Sequence, residues 1–237
     1  MKQLDILHLY PNELNTYGDY GNALVLRKRA LWHGLQPRIH HHHPGGKLPD
    51  QIDIVIGGGG QDSAQTDVQK DILKIADELH RLVAAGAPMI LICGTYQLFG
   101  HRYVTHDGQE VRGIGIFDAE TFGATKRMVG NVKVKSDFGW LYGFENHSGQ
   151  TFLGRNQPPL GKVIRGGGNN GKDKTEGARI NNVFGTYMHG PLLPNNPQFC
   201  DELIKLAAIN RYKKFVPAKI NDSLSELTRA AANHRRY

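Results

Sequence analysis

Two cysteines in 237 residues, Cys93 and Cys200, are too few for a disulfide framework, and point to a reducing, cytoplasmic setting. No window approaches the roughly 18 apolar residues that a membrane span needs, and the opening MKQLDILHLY lacks the cleavage region of a signal peptide. Neither G-x-G-x-x-G opening a helix nor a glycine-rich loop ending in Gly-Lys-Ser/Thr is present, so no nucleotide loop is expected. The net charge of +7 invites a nucleic-acid reading. Zinc spacings and basic segments interleaved with aromatics are missing, however, and much of the excess gathers late, at Arg211, Lys213, Lys214, Lys219, Arg229, Arg235 and Arg236. We expect no nucleic-acid partner, and a basic C-terminal tail or partner-contact segment over 213–237.

What is present reads as alternating strands and helices. Leu4–His8, a short piece near Arg38–His40, Ile52–Ile56 and Pro88–Ile92 are strand candidates. PMILI does not alternate, as expected of a parallel strand buried on both faces. Gly21–His33 predicts a helix with a stripe of Leu24, Leu26, Leu31 and Trp32, stopped by Gly34. Gln65–Ala85 predicts one long helix from the spacing of Val68, Ile72, Ile75, Leu79 and Leu82. Between Val104 and Val183, strand-like pieces among glycine and asparagine clusters suit antiparallel strands and hairpins at one edge, with Gly166–Lys174 an exposed loop. Val183–Tyr187 and Pro197–Arg211 predict a strand and a helix. The fold class is therefore α/β, an open and mostly parallel sheet with flanking helices and antiparallel edge strands, over a domain of residues 1–212.

Cys93 follows the buried run PMILI and precedes Gly94. A strand-to-helix turn thrusts a nucleophile out at the sheet edge, and a helix N-terminus favours a thiolate. A buried structural cysteine is the other reading of that position. Cys200 falls in helical register with Leu203, Ile204 and Ala207 and reads as core. Gly57–Gly60 leaves the strand IDIVI, and its amides suit an anion, an oxyanion better than a phosphate. His189, at the end of VFGTYMHGP, is the histidine placed to serve a thiol as base. The run His40–His43 looks metal-binding by composition, but adjacent residues of an extended segment point opposite ways, so it reads as a solvated loop and no metal is expected.

Five segments carry a resemblance: NTYGDYGNALVLRKRALWHG (15–34), IGGGGQD (56–62), LICGTYQLFG (91–100), GFENHSG (143–149) and VFGTYMHGPLLPNNP (183–197). With them the chain, from Leu4 to about Tyr212, resembles class I glutamine amidotransferases of the cobyric-acid-synthase type, most nearly the glutaminase subunits of lipid II isoglutaminyl synthases. The resemblance implies that Cys93 attacks the side-chain amide of L-glutamine, that His189 serves as base, and that amides of Gly94 and of Gly58 and Gly59 hold the oxyanion. It also implies that Arg127 binds the glutamine carboxylate. The wider class carries a glutamate two residues after the histidine, where this chain has Pro191; Asp19, in YGDYGN, is the candidate to orient His189 instead. The implied partner is a MurT-like ligase subunit that holds ATP and Mg and amidates the D-glutamate α-carboxylate of lipid II, with no cofactor in this chain. A subunit serving another acceptor, such as a cobalamin-type precursor, and a non-catalytic binding module on the same fold are the alternatives.

Overall fold

The computed structural model describes residues 2–233. The chain begins β1 (Lys2–Leu9), α1 (Tyr20–Trp32), β2 (Leu35–His42), β3 (Ile54–Gly57), α2 (Asp62–Lys74), α3 (Ala76–Ala84), β4 (Met89–Ile92) and α4 (Gly94–Leu98). A run of strands follows: β5 (Arg102–Val104), β6 (Glu110–Arg112), β7 (Ala119–Ser136), β8 (Gly139–Leu153), β9 (Gly161–Arg165), β10 (Thr175–Glu176), β11 (Ala178–Ile180) and β12 (Val183–Thr186). Helices α5 (Leu192–Asn195), α6 (Pro197–Tyr212) and α7 (Ser223–Asn233) complete the described chain.

One sheet has the order β11-β12-β4-β3-β1-β2, parallel throughout except for the β11–β12 edge. Strands β3, β4 and β12 are buried along their whole length, which is why their sequences run apolar without alternation. Parallel pairing brings the C-terminal ends of β1, β3, β4 and β12 to one edge, where ligands of open α/β sheets gather. The antiparallel edge is present in β11. The rest of the middle segment does more than extend that edge: β10-β9-β7-β5-β6, with β8 on β7, forms a second sheet. Its Val132, Val134 and Leu141 join the common core.

Four local expectations need correction. Helix α1 exposes Leu24, Leu31 and Trp32 and buries Asn22, Ala23, Leu26, Arg29 and Ala30. That face carries Asn22 and Arg29 among its apolar residues because their partners lie far along the chain: Arg29 is paired with Asp201 and Asp222, and Asn22 accepts a hydrogen bond from the Leu193 amide. The single helix expected over Gln65–Ala85 is two, α2 and α3, divided at Ile75.

His40–His43 is no solvated loop. β2 runs through His42, which is buried against Asp71 at 2.7 Å, while His40 meets Asp5 at 2.8 Å. Gly166–Lys174 is exposed only in part. Asn169 and Asn170 are buried, and the Glu145 carboxylate accepts the amides of Gly167 and Gly168 at 2.7 and 2.9 Å.

After α6 the chain is tied back rather than loose: Asp222 bonds Arg29, the Ala218 amide donates to His33 Nδ1, and Phe215 packs against the core. Of the late basic residues, Arg211, in the last turn of α6, pairs with Asp5 and Asp53, and Arg229 lies over the Tyr142 ring, 5.1 Å from its centroid. Arg235 and Arg236 fall outside the described residues. Among the described residues no helix is long and apolar enough to cross a membrane, and no group of three or more His, Cys, Asp or Glu is arranged to hold a metal.

Candidate active site

The turn from β4 into α4 puts Cys93 at φ 50°, ψ −103°. A non-glycine residue there costs on the order of 1–3 kcal/mol and persists only where the surroundings enforce it. The surroundings are explicit. The Cys93 amide donates to Thr186 O at 2.8 Å, so β12 grips the elbow from one side. On the other, Thr95 bonds Gly58 O through its amide (3.2 Å) and its hydroxyl (2.5 Å), fastening the glycine loop to α4. Cys93 itself is buried, 5% exposed.

His189 lies just past β12 and is held by an exchange of amide hydrogen bonds with Phe144 of β8, at 2.7 and 3.1 Å. Its Nδ1 faces Asp19 Oδ2 at 3.2 Å, and the same oxygen accepts the Gly59 amide at 2.9 Å. An acceptor-only carboxylate places the proton on Nδ1 and leaves Nε2 for the thiol. Both side chains are buried. Burial pulls the imidazole pKa down, but the neighbouring Cys93 charge and the hydrogen bond to Asp19 outweigh it, raising the pKa to about 10. An imidazole that keeps its proton beside a thiol is its counter-ion.

Gly59 marks where these groups meet. A Cβ there would stand 2.7 Å from His189 Cε1, 2.9 Å from Cys93 Cβ and 3.4 Å from Asp19 Oδ2. Only glycine fits. Pro191, where the wider class has its glutamate, packs instead on Gly21, whose Cβ would lie 2.5 Å from Pro191 Cγ. The carboxylate reaches the imidazole from the loop after β1.

The elbow opens on a polar cavity of about 390 Å³ whose lining includes Cys93, Tyr17, Gln65, Gln97, Arg127 and His147. Arg127 projects from β7 and is braced by Asn146: Nε and Nη2 donate to Asn146 Oδ1 at 3.1 and 2.9 Å, and Nη2 to its carbonyl at 3.0 Å. Nη1 has no hydrogen-bond partner among the described residues and is the nitrogen left for an anionic ligand.

The glycine loop departs from expectation in detail. The Gly59 amide is committed to Asp19, so it is not free for an oxyanion, while the Gly58 carbonyl holds Thr95. Gly60 lines the cavity, and its amide nitrogen is 3.3 Å from where a Gly94 Cβ would be. The Gly60 backbone nitrogen thus packs against Gly94, the residue that follows the thiol. Cys200, fully buried in α6, has its thiol pKa pushed upward by burial and lies far along the chain from this constellation.

The structure thus brings Cys93, His189, Asp19, Arg127 and Gly94 together. Sequence reasoning missed Tyr17, Thr95 and Asn146. Asn146 sits in GFENHSG, a segment that carried the resemblance without an assigned role.

A strained cysteine elbow, a histidine backed by a carboxylate and a cavity with a braced arginine define an amidotransferase-type hydrolytic site. The chain belongs to the CobB/CobQ-like glutamine amidotransferase domain family, whose family model matches residues 5–197. Among its relatives, the lipid II isoglutaminyl synthase (glutamine-hydrolyzing) subunit GatD of Staphylococcus aureus strain N315 is 38% identical over 224 residues, 94% of this chain and 91% of that one. The subunit of the same name from Streptococcus pneumoniae R6 is 37% identical, covering 89% of this chain and 82% of its own length. A probable cobyric acid synthase of Methanothermobacter thermautotrophicus is 33% identical over 60% of this chain but only 31% of its own length. In fold, the chain is similar to the structure of PurLQS from Thermotoga maritima, with TM-score 0.60 at 15% identity, covering 90% of this chain and 100% of the matched one.

Proposed function

We propose that this chain is a glutaminase subunit that hydrolyses L-glutamine to glutamate and ammonia for a MurT-like ligase. The observation that carries the reading is the convergence of Cys93, His189 and Asp19 on Gly59, at the mouth of a cavity that holds Arg127. The likeness to two GatD subunits over most of their lengths favours lipid II as the acceptor over a cobalamin-type precursor, since the cobyric acid synthase relative matches over a much smaller share.

The chemistry runs in two halves. The Cys93 thiolate attacks the side-chain amide carbon, and the carbonyl oxygen takes the negative charge between the Gly60 and Gly94 amides. As the carbonyl re-forms, the C–N bond breaks and the His189 imidazolium protonates the departing nitrogen, releasing ammonia. Water then attacks the γ-glutamyl thioester, giving its proton to His189, and the thiolate leaves with glutamate as product. Asp19 keeps the imidazole in the tautomer that presents Nε2 to the sulfur. Arg127 binds the glutamine α-carboxylate. Ammonia is consumed on the partner, which holds ATP and Mg and converts the D-glutamate α-carboxylate of lipid II to D-isoglutamine. Residues 1–212 are the catalytic domain, and the segment beyond them, including α7, is the partner contact. The setting is the cytoplasm.

The test is ammonia release from L-glutamine by the purified chain, alone and with its ligase partner. Wild type should turn over, faster with the partner, and Cys93→Ala should not while keeping its fold. Turnover retained in Cys93→Ala removes the assignment.

A further inference from the structure

One loop, residues 11–19, meets the imidazole on two sides. Asp19 faces Nδ1. Tyr17, two residues earlier, lines the cavity and lays its ring against the same imidazole, centroids 4.3 Å apart and planes inclined by 51°. Gly18, at φ 72°, makes the turn between them. The loop is prearranged: the Leu14 amide donates to Tyr10 O (2.8 Å), Thr16 to Gly59 O (3.1 Å) and Gly18 to Asn15 O (3.1 Å). The Tyr17 hydroxyl accepts a hydrogen bond from Arg127 Nη2 at 3.1 Å. A single side chain thus touches both the base, from the segment after β12, and the arginine, from β7.

We infer that Tyr17 is a positioning residue that couples the carboxylate anchor to the base. The inference rests on the glutaminase reading of this site. The two ends of the side chain do separate work. The hydroxyl, with Asn146, fixes the guanidinium plane so that Nη1 is turned to a carboxylate; that is a binding contribution, made alike in ground and transition states. The ring covers one face of His189, keeps water from the ion pair and holds the imidazole plane toward Cys93; that contribution is felt in the proton transfers. Substitutions that remove one end and keep the other separate the two.

The experiment uses the full chain as wild type, Tyr17→Phe and Tyr17→Leu. Steady-state glutamine hydrolysis is followed across pH, and Cys93 is labelled with two electrophiles, a glutamine-like diazo-ketone that carries the α-carboxylate and chloroacetamide that does not. Loss of one hydrogen bond to a charged group predicts that Tyr17→Phe raises KM for glutamine about tenfold. It should slow diazo-ketone labelling by a similar factor while chloroacetamide labelling stays at the wild-type rate. Tyr17→Leu should in addition lower kcat by about tenfold or more and move the pH limb set by His189, with phenylalanine restoring both. Equal slowing of the two electrophiles in Tyr17→Phe, or wild-type kinetics in both variants, overturns the inference and leaves the glutaminase reading standing. A wild-type chain whose Cys93 takes chloroacetamide but neither the diazo-ketone nor glutamine overturns both.

Discussion

Replacing Asp19 by asparagine removes a charge from behind the imidazole while leaving an oxygen in nearly the same place. Asp19 Oδ2 accepts from both the Gly59 amide (2.9 Å) and His189 Nδ1 (3.2 Å), and an asparagine carbonyl oxygen can do the same. Oδ1 has no hydrogen-bond partner among the described residues, so an NH₂ there breaks no existing bond. The frame is therefore conserved and the electrostatics are not. Two opposite charges 3.2 Å apart interact by at most about 5 kcal/mol at an effective dielectric of about 20, and a charged hydrogen bond contributes about 1.5–3 kcal/mol net. If that net amount is felt where His189 carries its proton, kcat should fall about 10- to 150-fold. Folding stability should change by less than that net amount, because asparagine also relieves the cost of burying a carboxylate and so offsets the lost ion pair. The measurements are glutamine turnover across pH and a denaturant titration of the same two proteins. Near-wild-type turnover in Asp19→Asn would refute the positioning role and leave a Cys93–His189 dyad. Lost turnover with an equally large loss of stability would make Asp19 a structural residue.

The diazo-ketone should label the chain once, at Cys93; peptide mapping that finds the adduct on Cys200 reverses the reading of the two thiols. Arg127→Ala should weaken glutamine use more than Arg127→Lys, because lysine keeps the charge but loses the planar donors that Asn146 braces; equal kinetics in all three proteins would move the carboxylate site elsewhere. His189, raised from 6.5 to about 10, contributes stability present in full below pH 6.5 and lost as pH rises toward 10. The stability of wild type minus that of His189→Gln, from denaturant titrations, should therefore shrink over that interval, and a difference that grows with pH contradicts the charged imidazole.

The reacting centre was legible because its signals are local. An apolar run ending in Cys-Gly describes a buried strand and a tight elbow whatever surrounds it; that Pro191 stands where a carboxylate is usual came from the family resemblance. Other features were illegible because their causes are distant. Arg29 lies on the buried face of α1 only because Asp201 and Asp222 reach it from the far end of the chain, and Leu24, Leu31 and Trp32 are left outside. His42 is buried for a similar reason, with Asp71 as partner. Which of four consecutive glycine amides faces the thiol and which faces Asp19 depends on the loop geometry; composition alone cannot number them. Asn146 and Tyr17 have ordinary residue types for their segments, and nothing short of the fold shows them converging on Arg127.

The crowding at Gly59 also bears on how the protein acquires activity. Its amide bonds a residue 40 positions away, and that residue's other partner is 170 positions away, so no short contiguous fragment contains the reacting centre. Such contacts close long loops, and their entropic cost is met only when most of the parallel sheet has formed. During refolding, helical signal should return before glutamine turnover does, since competence arrives with the last long-range closure.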